Sequence, residues 1–143
     1  MKETTAVNPH VEAVIAECTE ASDAERITFP EVVAKLIAAG VERYNADLVR
    51  SERTHYMPGG ETDVRPAHAV KTVPARAFSA AGVDAAVRAI QAQKIQYREV
   101  CERIAAAGCV GYTVSLTGRR AVYYGRTGES HVEMFPGTAS PSP

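Results

Sequence analysis

The sequence predicts an α+β domain of two pseudo-symmetric helix–helix–β-hairpin repeats. They form a mainly antiparallel sheet of four or five strands with helices packed on one face. Two observations carry this. First, adding 68 to each residue number from Ile27 to Val64 overlays that stretch on Ile95 to Val132 without a gap, and 12 of the 38 positions are identical. The identities include the glycines Gly40 and Gly108 and the pairs Tyr44 with Tyr112 and Tyr56 with Tyr124. Second, within each copy the apolar spacing changes from helical to alternating.

In chain order, Asn8-Pro9 starts a helix, with Asn as N-cap and Pro in the first turn, and Val11, Val14, Ile15 and Cys18 follow at helical spacing. Thr28 starts a second helix, because its hydroxyl and Glu31 three residues on can form a capping box. Val32, Val33, Leu36 and Ile37 give that helix its apolar face, and Gly40 stops it. Val41 to Val49 and Thr54 to Met57 read as a hairpin turning near Arg50-Ser51-Glu52, ended by Pro58-Gly59-Gly60. The order then recurs: a helix carrying Val83, Ala86, Val87 and Ile90, a helix from Glu99 to Ala107 closed by Gly108, and strands Val110 to Leu116 and Ala121 to Tyr124. His131 to Phe135 would be a fifth strand. The expected organisation is a single domain over 1–136, with repeat 1 at about 9–64, an irregular crossover at 65–81 marked by Pro66 and Pro74, and repeat 2 at about 82–136. Residues 137–143, all Gly, Thr, Ala, Ser and Pro, are expected to be a disordered tail.

Composition narrows the function classes. A net charge of −1 gives no general field for nucleic acid or an anionic membrane, so nucleic-acid binding is not expected. No apolar run reaches the roughly 18 residues that would span a bilayer, and Met1 to Asn8 lacks the apolar stretch of a signal peptide. The expected compartment is the cytoplasm. Cys18, Cys101 and Cys109 form neither an even set nor a Cys-x-x-Cys pair, which argues against disulfides and zinc. They overlay Ile90, Val33 and Val41 in the other copy, so they read as core fillers. His10, His55, His68 and His131 share no metal-ligand spacing with one another, and neither a metal nor another cofactor is expected.

The repeat also sorts the polar candidates. Tyr44 and Tyr112 would face the core and line any pocket between the copies, whereas Tyr97 overlays Phe29 and reads as packing. The facing of Tyr56 and Tyr124 depends on strand register. Residues that break the symmetry stand out: Asn45, Asp47 and His55 in the first hairpin, and Arg119, Arg120 and Arg126 in the second. The crossover adds His68, Lys71 and Arg76. His55 is the best acid/base candidate, because imidazole titrates near neutrality. Arg120 and Arg126 could hold an anion at one end of the sheet, though hairpin arginines commonly only guard strand edges.

The strings Ala107 to Tyr112 (AGCVGY), Tyr123 to Glu129 (YYGRTGE) and Met134-Phe135-Pro136 resemble the YbcV-like family of small uncharacterised bacterial proteins, sometimes labelled phage envelope proteins. The resemblance runs from about Thr28 to Pro136 and takes in Tyr44, Asp47, Tyr56, Gln91 and Tyr97. It implies a compact α+β domain and assigns no activity and no site residue.

Two functions are weighed. One is a binding or interaction module with a small apolar or aromatic ligand between the repeats, held by Tyr44, Tyr112, Tyr124, Arg120 and Arg126, or with a homodimer on the sheet face. The other is a cofactor-independent isomerase, cyclase or hydrolase in which His55 is the base, Asp47 or Glu61 orients it, and a tyrosine such as Tyr56 donates to an oxyanion.

Overall fold

The structure is a computed structural model that describes residues 6–136; the expected disordered tail lies outside them. Local chemistry sets the helices. Asn8 Oδ1 accepts from the Val11 N–H at 2.9 Å and opens α1 (Pro9–Asp23). The Thr28–Glu31 capping box forms as expected and opens α2 (Phe29–Ala38). Gly40, at φ 85°, turns the chain into β1 (Arg43–Asp47). A turn follows in which Asp47 Oδ1 accepts from the Val49 and Arg50 N–H groups, both at 2.9 Å, leading into β2 (Glu52–Tyr56).

The next element departs from expectation. Thr62–Pro66 forms a further strand, β3, paired antiparallel with β2, so the sheet has six strands rather than four or five and the crossover begins after Pro66. Its sequence, Thr-Asp-Val-Arg-Pro, carries charged residues where a strand would show an apolar stripe, and the proline sits at an edge that needs no donor. After the crossover come α3 (Ala80–Gln91), α4 (Tyr97–Ala106), β4 (Cys109–Ser115), β5 (Arg120–Gly125) and β6 (Ser130–Met134). The sheet order is β3-β2-β1-β4-β5-β6, antiparallel throughout.

The halves run through the same element order and meet at β1 and β4, whose register sets Asn45 opposite Thr113. Backbone positions with positive φ also fall 68 apart: Glu25 and Gln93, Gly40 and Gly108, Ser51 and Arg119, Gly60 and Gly128. At Gly108 an added Cβ would lie 2.3 Å from the Ala77 carbonyl, so no side chain fits there.

The four helices cover one face of the sheet. Val11, Ile15, Leu36, Val83, Val87 and Ile104 from the helices pack with Tyr44, Ala46, Tyr112, Val114 and Ala121 from the strands. Two rows cross this covered face, Asp63–His55–Tyr44–Val114–Ala121–Glu133 and Arg65–Arg53–Ala46–Tyr112–Tyr123–His131. The other face is partly open to solvent. No helix among the described residues is long and apolar enough to cross a membrane.

Candidate ligand-binding site

Between the helices and the centre of the sheet lies a cavity of about 750 Å³. Its floor is Tyr44, Arg53, Tyr112, Val114, Ala121 and Tyr123. Val32, Val87, Val100 and Ile104 wall it from the helices, and its rim is formed by the α1–α2 and α3–α4 loops together with Phe135 and Pro136 beyond β6. Phe29 and Phe135 meet edge to face at 5.3 Å between ring centroids at this rim. The volume falls in the range of small-molecule sites, and the lining is mostly apolar with a few polar groups, as such sites usually are.

Arg53 is the exceptional lining residue. It is only 4% exposed, yet among the described residues no carboxylate comes within 4.0 Å of its guanidinium. One terminal nitrogen donates to the Tyr97 hydroxyl, and the guanidinium carbon lies 5.0 Å from the Tyr97 ring centroid and 5.9 Å from that of Tyr44. Nε is buried without a partner. Cation–π contacts recover part of the lost hydration but are weaker than a charge-assisted hydrogen bond to an anion. The hydroxyls of Tyr44 and Tyr112, though both rings line the cavity, make no hydrogen bond among the described residues. Burial raises the pKa of Tyr44, Tyr97 and Tyr112, so all three stay neutral donors at physiological pH.

Neither Arg53 nor the role of Tyr97 is anticipated by the sequence reading. A signal for Arg53 exists, since at an offset of 68 residues it overlays Ala121, a mismatch as strong as that of His55 with Tyr123. Tyr97, expected to pack only, supplies the hydroxyl that Arg53 grips.

The other candidates disperse. His55 is 2% exposed, stacks on Tyr44 at 5.2 Å and leaves Nδ1 unpartnered, but it lies behind the cavity lining. Burial, then the charge of Arg53, pushes its pKa down to about 4, so it is a neutral imidazole at pH 7. Asp47 serves the β1–β2 turn, and Glu61 lies in the β2–β3 turn, where its carbonyl accepts from the Met57 N–H. Tyr56 and Tyr124 are on the open face. Tyr56 lies under the Arg43 guanidinium at 3.9 Å, and the Tyr124 hydroxyl accepts from Asn45 Nδ2 at 3.1 Å. Arg120 bonds the Gly118 carbonyl, and Arg126 donates to the Pro74 carbonyl at 2.6 Å; neither borders the cavity. Of the residues proposed from sequence, Tyr44 and Tyr112 therefore share the cavity, and His55, Asp47 and Tyr56 do not come together.

The three cysteines are buried and free. Cys101 borders the cavity, but burial lifts its thiol to about 11 despite the nearby Arg53, which leaves it protonated and a poor nucleophile. His68 does not act alone: it joins Lys71 and Thr72 around the Glu102 carboxylate, which pins the crossover to α4. One group among the described residues could hold a metal ion. Donor atoms of Asp84, His131 and Glu133 lie within 4.8 Å of one another at the β6 edge. His131 and Glu133 already share a 2.6 Å hydrogen bond, and Asp84 is paired with Arg88 at 2.9 Å.

No curated protein sequence matches the chain. A family model does match, over residues 19–133, from the end of α1 through α2, α3 and α4 to β6, and so takes in most of the cavity lining. The chain belongs to the family described as protein of unknown function DUF1398.

Proposed function

We propose that the protein is a small-molecule-binding module whose ligand occupies the cavity between the helices and the sheet. The observation that carries this reading is the cavity itself, about 750 Å³ at the join of the two halves, with Tyr44 and Tyr112 on its floor. A core of this size would ordinarily close over such a space, because interiors pack as densely as organic crystals. We further read the halves as copies of one repeat, supported by the shared element order and by the positive-φ positions 68 apart. In a duplicated fold the join of the copies is where a pocket naturally opens. We also take the family to be the YbcV-like one, on the strings AGCVGY and YYGRTGE.

The test is a thermal-shift screen of the purified chain against a broad metabolite set, since a ligand that binds only the native state raises Tm. The expected result is at least one compound that raises Tm in wild type and not in Ala121→Trp, which fills the floor of the cavity. A screen in which every hit stabilises Ala121→Trp equally sinks the proposal.

We rank the cofactor-independent enzyme below this. His55 would have to reach substrate from behind Tyr44, and Asp47 and Tyr56 are held by partners elsewhere.

A further inference from the structure

We infer that the cavity takes a hydrophobic monocarboxylic acid, its carboxylate paired with Arg53 and its apolar body lying among the helix side chains. This rests on the cavity being the binding site and names the class of molecule that fills it.

Charge is the first argument. A guanidinium is always protonated and offers a planar fork of donors. Here one donor goes to Tyr97, while Nε has no partner and no carboxylate of the described residues lies within 4.0 Å. Taking such a cation out of water is strongly unfavourable unless an anion and hydrogen bonds offset the loss. Asp23, the acid whose charge acts on it, does so from beyond ion-pair distance, and its own Oδ1 accepts from the His68 N–H. An anion arriving through the cavity would meet the free donors of Arg53 and, beside them, the unengaged hydroxyls of Tyr44 and Tyr112.

The number of charges is the second argument. Four charged residues border the cavity, Glu25, Arg26, Arg53 and Glu133. Three of them already have partners: Arg26 with Glu20 at 3.6 Å and Glu25 with Arg98 at 3.4 Å, both at the rim, and Glu133 on β6 with His131 at 2.6 Å. One unspent positive charge suits a monoanion. A phosphate monoester, close to a dianion at pH 7, would leave a charge unmatched in a low-dielectric site. Carboxylate geometry also suits the guanidinium fork, which binds it through two parallel hydrogen bonds. Away from Arg53, Val32, Val87, Val100, Ile104 and Phe135 make an apolar wall that accepts an alkyl chain or a fused ring, and the glutamines Gln91, Gln93 and Gln96 border the cavity where α3 gives way to α4.

The experiment is isothermal titration of the full chain with decanoate, 1-naphthoate, 1-decanol and decyl phosphate, repeated with Arg53→Met and Arg53→Lys. In wild type, one of the two carboxylates should bind at least about tenfold more tightly than decanol and than decyl phosphate, as a charge-assisted hydrogen bond implies. Which carboxylate binds distinguishes an aliphatic acid from an aromatic one. Arg53→Met should bring the acid-to-alcohol ratio to about one, and Arg53→Lys should leave it between the two. Equal binding of acid and alcohol by wild type overturns this inference while leaving the cavity reading standing, and this comparison needs no variant to fold. Preference for decyl phosphate overturns the monoanion assignment. If neither carboxylate binds, this inference is overturned, and the cavity reading is then decided by the metabolite screen with Ala121→Trp.

Discussion

The covered face of the sheet is built differently in its two halves. Around β1 and β2 it buries a guanidinium and an imidazole, Arg53 and His55, both under 5% exposed. At the positions 68 residues on, in β5, stand Ala121 and Tyr123, which are neutral and pack. The edges differ in the same sense. Near β3, Arg65 pairs with Asp63 at 2.8 Å and reaches Glu12 at 3.8 Å, so one cation serves two acids. Near β6 the place of Arg65 is taken by Glu133, which leaves two carboxylates, Glu133 and Asp84, beside one histidine. A position that must only fill space tolerates the apolar choice, and the second half makes it. The first half keeps polar groups that cost stability, and the binding role proposed above would rest on one of them, Arg53.

Moving the first half's chemistry into the second gives the largest expected effect. Ala121→Arg would bury a second unpaired charge on the covered face, three strands from Arg53, and urea unfolding should show a loss of about 3–5 kcal/mol or more. The reverse exchange, Arg53→Met, should leave the ligand-free protein no less stable, because a buried cation without an anion is replaced by packing atoms. A loss from Arg53→Met as large as that from Ala121→Arg would mean that Arg53 supports the fold rather than the ligand.

His55 gives the next effect. Its folded-state pKa, about 4, lies below the ordinary 6.5, so between those values the unfolded chain binds the proton that the folded one refuses. Stability should therefore fall as pH drops from 6.5 towards 4, by about 3 kcal/mol from this residue. His55→Phe, which approximates Tyr123 in the other half, should remove that part of the slope in unfolding curves taken across this range.

Glu102 has no acidic counterpart, since position 34 is alanine and the crossover occurs only once. Burial would raise its pKa, but hydrogen bonds from Thr72, Lys71 and His68 outweigh that and bring it to about 2. Glu102→Ala should cost about 2 kcal/mol at neutral pH. Because the folded-state pKa is depressed, the deficit should shrink as pH falls below 4.5 towards 2.

The smallest effect is expected at the β6 edge. Burial first, and then Asp84, raise the Glu133 pKa, so its ionised form is disfavoured in the folded state. Glu133→Gln should stabilise the protein by less than about 1 kcal/mol at pH 7 and not at all near pH 4, as chemical denaturation at the two pH values would show.

Much of the fold is legible in the residues themselves. Asn8-Pro9, the Thr28–Glu31 box and the two C-terminal glycines are local signals, and the helices begin and end where they say. Strand β3 escapes such signals because its covered-face residues, Asp63 and Arg65, neutralise each other at an edge instead of packing apolar atoms. The tyrosines are legible in type but not in direction, since Tyr44 and Tyr56 differ by an even number of positions across a turn whose register the sequence leaves open. Arg53 is hidden by the general rule that arginines sit at the surface. Only its overlay on an alanine argues otherwise.

The seam between Asn45 and Thr113 also bears on how the chain folds. Each three-stranded meander closes through short turns, whereas Asn45 Nδ2 reaches Thr113 Oγ1, 3.0 Å away, across a separation of 68 residues. Short loops close at little entropic cost and long ones at more. On that ground the meanders are expected to close before the β1–β4 seam, which would make the cavity that straddles it a late product of folding.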